Sequence, residues 1–85
     1  MIEQFANYGA GYVAWLREHR GGFFINSDHK PSPGYLVLHR VTCRTGGLPW
    51  TPDYRRICGE TVDELDDWAA AETGGVPTRC GTCHP

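Results

Sequence analysis

Tyr35-Leu36-Val37-Leu38-His39-Arg40-Val41-Thr42-Cys43 is the stretch on which the fold turns. Branched and aromatic side chains dominate residues 35–41, which suits a half-buried strand. Side chains alternate along a strand. Tyr35, Val37, His39 and Val41 therefore share one face, and Leu36, Leu38 and Arg40 the other. His39 and Arg40 point to opposite sides, so whichever side is covered buries a polar group that has to be hydrogen-bonded. The plain reading is a satisfied core histidine and an exposed arginine.

Before this strand, residues 27–34 read as a loop, because Pro31 and Pro33 each remove a ladder donor. Phe23-Phe24-Ile25-Asn26 reads as a short strand. Further back, Tyr8, Tyr12, Trp15, Leu16 and His19 recur at helical spacing, with Asn7 as the expected N-cap and Gly21-Gly22 as the stop. After the strand, residues 45–53 form a second loop around Gly46-Gly47 and Pro49-Trp50-Thr51-Pro52, and residues 54–58 form a third strand. Thr61-Val62-Asp63-Glu64 has the form of a capping box, and its acids suit the positive end of a helix dipole. Val62, Leu65, Trp68 and Ala69 make that helix's apolar stripe, and Gly74-Gly75 ends it. The predicted order is α-β-β-β-α followed by a tail. It describes an α+β domain in which a short antiparallel sheet is packed by two helices.

A chain of 85 residues makes one domain, here 1–85. At that size only about 60% of the unfolded surface is buried, so the core is marginal without a staple. The 40% hydrophobic content, with three Trp, four Tyr and three Phe, excludes a disordered tail. Met1-Ile2-Glu3-Gln4 carries no basic segment and leads into no apolar one, so no secretory signal is read there. The longest apolar run, residues 35–38, is too short to span a membrane. The expectation is a cytoplasmic protein, where disulfides rarely persist and four cysteines point to metal first.

Those cysteines are Cys43, Cys58, Cys80 and Cys83. Zinc takes four soft or borderline donors in a tetrahedron, and Cys80-Gly81-Thr82-Cys83 places two thiolates on one tight turn. Cys43 and Cys58 both stand at strand ends, where a hairpin-like connection would join them to the pair. One structural zinc per chain is therefore expected on Cys43, Cys58, Cys80 and Cys83. His39 and His84 are reserve ligands. On a continuous strand, residues 39 and 43 would lie about 13 Å apart, and only a bend near Thr42 would bring them to one ion. Cys-Gly-Thr-Cys also has the form of a thiol–disulfide exchange motif. That chemistry uses a helix N-terminus to lower the thiol pKa, and only His84 and Pro85 follow here.

Function is less legible. Asp28-His29 invites comparison with zinc-supported nucleases of the Asp-His type. The third position after His29 is Ser32 rather than proline, and the acidic helix offers no histidine ligand. The formal charge of −2 argues against a general nucleic-acid binder. Arg40, Arg44, Arg55 and Arg56 would nevertheless form a basic patch if neighbouring strands bring them together. With Trp50 in its Pro-flanked loop, that patch would grip phosphates and stack bases. The alternative is a protein-interaction module working through the acids of the second helix, Asp63, Asp66 and Asp67. No paired carboxylates, nucleophile–base pair or phosphate loop stands out, so a non-enzymatic, zinc finger-like module is expected, with neither membrane nor small-molecule substrate as partner.

Several motifs follow one another along the chain: Gly11-Tyr12-x3-Leu16, Gly22-Phe23-x-Ile25-Asn26, Tyr35-Leu36-x-Leu38-His39-Arg40-x2-Cys43, Ile57-Cys58-Gly59, Leu65-Asp66-x-Trp68-Ala69 and Cys80-Gly81-x-Cys83-x-Pro85. Together they resemble small uncharacterised four-cysteine proteins of actinobacteria and their phages, sometimes found as an N-terminal module beside nuclease-type domains. The resemblance implies Cys43, Cys58, Cys80 and Cys83 as metal ligands and His39-Arg40 as a motif of unassigned role. It implies no activity.

Overall fold

The structure, a computed structural model, describes residues 1–43 and 54–85. Arg44, Trp50 and the predicted loop 45–53 lie outside the described residues. The elements are β1 (Glu3–Phe5), α1 (Ala10–Glu18), β2 (Phe23–Asp28), β3 (Leu36–Arg40), β4 (Tyr54–Gly59), α2 (Val62–Thr73) and β5 (Thr78–Arg79). They form an α+β domain around one five-stranded sheet of order β1-β4-β2-β3-β5. All pairings are antiparallel except β3 with β5, which run parallel.

Each face of the sheet carries one helix. Ile25 pairs with Leu38 and Ile57, so these side chains share a face. There they pack with Leu36 and with Leu65 and Ala69 of α2, while Ile2, Phe23, Val62 and Trp68 border the cluster. Phe24 pairs with His39 and Cys58 and turns to the other face. On that side Phe24 and Cys58 meet Tyr12 and Trp15 of α1. Two covered faces explain why Phe23-Phe24-Ile25 and Ile57-Cys58 are apolar without alternation.

α2 forms as its sequence predicts. The Thr61 hydroxyl accepts from the Glu64 N–H at 3.2 Å, and Glu64 Oε1 accepts from the Glu60 N–H at 3.3 Å. Gly74 ends the helix at φ 73°, a left-handed conformation that favours glycine. α1 differs from expectation at its start. The helix begins at Ala10, with Gly9 rather than Asn7 at the cap and no capping side-chain hydrogen bond. Packing of Tyr12 and Trp15 therefore holds it in place of a cap.

β2 runs two residues beyond its predicted end because Ser27 pairs with both Leu36 and Arg55, and Asp28 with Tyr54. Ser27 is fully buried there, its hydroxyl donating to the Asp28 carbonyl at 2.9 Å. The two edge strands were not predicted. β1 pairs with β4, and β5 is a two-residue addition beside β3. No helix among the described residues is long and apolar enough to cross a membrane.

Candidate metal centre

β3 carries His39 to the end of the sheet that the chain's last residues reach. Because β5 runs parallel to β3, with Leu38 opposite Arg79, the next residue along the tail arrives beside His39. The Cys80 N–H donates to the Leu38 carbonyl at 2.9 Å and fixes that placement. β3 itself stops at Arg40, and the chain reverses through Val41 and Thr42, closed by the Cys43 N–H donating to the Arg40 carbonyl at 2.9 Å. The bend on which His39 depended thus exists, and it folds Cys43 back.

One ligand atom from each of His39, Cys43, Cys80 and Cys83 lies within 4.8 Å of the others, a group that could hold a metal ion. Thiolates around a tetrahedral zinc, each at about 2.3 Å, sit about 3.8 Å from one another. The Sγ atoms of Cys43 and Cys80 are 3.8 Å apart. His39 is 9% exposed and stacks on Phe24, with ring centroids 5.1 Å apart. Its Nδ1 is buried with no hydrogen-bond partner. Such an atom is costly unless something binds it, and a ring nitrogen of His39 belongs to the four-donor group. Three sulfurs and an imidazole are the donor set of structural zinc.

Backbone N–H groups are aimed at the sulfurs. Thr82 N–H donates to Cys80 Sγ at 3.4 Å, and Arg40 N–H to Cys83 Sγ at 3.3 Å. The backbone N–H groups of Cys83 and then Thr82 draw the Cys80 thiol well below its ordinary pKa, whereas burial pushes Cys83 up. Three thiols this close cannot all ionise without a cation among them, and ligation requires that they do.

Arg40 holds the tail from outside. Its Nε donates to the Cys83 carbonyl at 2.9 Å and its Nη2 to the His84 carbonyl at 3.1 Å, with the guanidinium 5.6 Å from the Phe23 ring centroid. No sequence signal marked this role. His39, by contrast, is a reserve donor in the sequence reading, conditional on a bend near Thr42 that the structure contains.

Cys58 is not part of this group, which corrects its assignment as a ligand. It lies in β4, and β2 separates β4 from β3. With Phe24 paired to both residues, Cys58 and His39 sit two strand spacings, about 10 Å, apart. Cys58 is fully buried against Tyr12, Trp15 and Phe24, and burial pushes its thiol up to about 12. It behaves as a small apolar core residue. His84 is exposed and outside the group as well.

The expected basic patch does not form among the described residues. Arg56 is 2% exposed, donates from Nη1 to Tyr12 Oη at 2.6 Å, and lies 4.7 Å from the Phe24 ring centroid. Arg55 projects from the opposite face of β4, where Nη1 donates to Gln4 Oε1 at 3.1 Å. Arg40 is engaged with the tail, on a strand separated from β4 by β2.

A second tie holds the tail to α2. Arg79 donates twice to the Asp66 carboxylate, at 2.9 and 2.8 Å. That hydrogen-bonded partner lowers the Asp66 pKa. A carboxyl lowered on folding contributes stability that is present above its unfolded pKa and lost as pH falls through the folded value. The two side chains are 31% and 40% exposed, so the pair is worth only about 0.5 kcal/mol. A double-mutant cycle of Asp66→Asn and Arg79→Gln should give that coupling at pH 7 and the same coupling at pH 5.5. A coupling already decaying at pH 5.5 would contradict the lowered carboxyl.

Comparison with protein-family models, curated proteins and solved structures found no match.

Proposed function

We propose that this chain is a non-enzymatic binding module whose fold is locked by one structural zinc ion on His39, Cys43, Cys80 and Cys83. The observation that carries the reading is the convergence of these four donors, with the buried Nδ1 of His39 lacking any hydrogen bond. The ligands come from β3, the turn after it and the segment following β5. An ion there ties the C-terminal tail to the centre of the sheet, which is what a small core needs. Four protein donors complete a tetrahedron and leave no position for a reacting water, so the ion's role is structural.

Activity then resides on the surface. A protein partner is favoured over nucleic acid, because Asp63, Asp67 and Glu72 stand exposed on α2 while Arg40, Arg55 and Arg56 are engaged within the fold. The first test is native mass spectrometry of protein purified without added metal. One zinc per chain, lost with the folded structure on chelation, is the expected result. A folded, metal-free chain would overturn the reading.

A further inference from the structure

We propose that Cys43 and Cys80 are an oxidation site, at which peroxide exchanges the metal staple for a disulfide staple. The inference rests on the metal reading above and adds a mode of regulation to it. It differs from thiol–disulfide exchange catalysis, since the pair is not the Cys-Gly-Thr-Cys motif.

The two sulfurs are 3.8 Å apart, so they need to close by roughly 1.8 Å to reach bonding distance. They differ in access. Cys43 is half-buried and borders a cavity of about 200 Å³ shared with Tyr8, Val41 and Arg56, whereas Cys80 is 8% exposed. A small oxidant entering that cavity meets Cys43 first. Cys83 is held by Arg40. Its sulfur accepts the Arg40 N–H and its carbonyl accepts the Arg40 guanidinium. Cys43 stands at the end of a turn, with its N–H on the Arg40 carbonyl.

The Cys43 thiolate attacks one peroxide oxygen; an S–O bond forms, the O–O bond breaks and hydroxide leaves. The Cys80 thiolate then attacks the resulting sulfenic sulfur; the S–S bond forms and the second oxygen leaves as hydroxide. Two protons from solvent convert the oxygen to two waters. The two sulfurs supply the two electrons that reduce the peroxide, and the zinc ion keeps its oxidation state. His39 and Cys83 alone do not retain it. The new bond joins the turn after β3 to the residue after β5, two places that the ion also joined, so the fold outlasts metal loss. Thiol reductant and zinc reverse the exchange.

The test uses the full chain, first shown to carry one zinc, and hydrogen peroxide, with released zinc followed by a chromogenic chelator. The expected result is one zinc released per chain, a protein about 2 Da lighter, and unchanged far-UV circular dichroism. A tryptic digest should join peptide 41–44 to peptide 80–85, with fragmentation placing the bond at Cys80 and Cys58 still alkylatable. Cys58→Ser should behave identically. Zinc retained under peroxide, a Cys80–Cys83 or Cys43–Cys83 bond, or unfolding on release would overturn this inference and leave the metal reading intact. A chain carrying no zinc before peroxide overturns both.

Discussion

His39→Ala should weaken zinc binding about a thousandfold, roughly 4 kcal/mol, whereas Cys58→Ala should bind one zinc with unchanged affinity. The contrast separates the donor set that the fold assembles from the four cysteines of the sequence. Structural zinc contributes about 10–16 kcal/mol to folding in small domains, so losing one donor in four removes a large part of the stability. His39→Ala should therefore melt well below the zinc-loaded wild type. Cys58→Ala leaves a small void among Tyr12, Trp15 and Phe24 and should cost about 1–2 kcal/mol. Its thiol, pushed up to about 12 by burial, is poorly suited to the ionised form that ligation needs. Competition against a chromogenic chelator measures both affinities. Loss of zinc in Cys58→Ala, or full retention in His39→Ala, would restore the four-cysteine assignment.

The difference between Cys58 and His39 shows where the sequence stops being informative. β3, β4 and α2 follow from local rules: branched residues at 36–38, alternation broken only where both faces are covered, and a capping threonine three residues before Glu64. Each rests on neighbours in the chain. Which strands lie side by side does not. Cys43 follows β3 and Cys58 lies near the end of β4, and direct β3–β4 pairing would set Cys58 one strand spacing from β3. The insertion of β2 between β3 and β4 separates them. Likewise Thr78 and Arg79 are exposed and carry no strand pattern of their own; they become β5 because β3 has an open edge and Cys80 must reach His39. The turn at Val41-Thr42 contains neither glycine nor proline, so nothing local announced that His39 and Cys43 would converge.

Arg56 carries the second large effect. Reading four arginines as a surface patch predicts that Arg56→Ala costs almost nothing. The structure predicts a loss of about 3 kcal/mol, combining a charge-assisted hydrogen bond to Tyr12 with desolvated cation–π contacts to Tyr12 and Phe24. Arg56→Lys should be no better, because a compact, strongly hydrated ammonium cannot lie flat against two rings and reach the Tyr12 hydroxyl. Arg56→Met keeps most of the volume without a charge to desolvate, and buried charges replaced by apolar groups of similar size often cost little. The expected order of stability is therefore wild type, then Met, then Ala and Lys together, read from urea unfolding of zinc-loaded protein. Phe24 is touched by both Arg56 and His39, so Arg56→Ala should also lower zinc affinity, by less than tenfold. A lysine variant as stable as wild type would mean that charge alone is needed at this position and that the ring-stacked geometry contributes nothing.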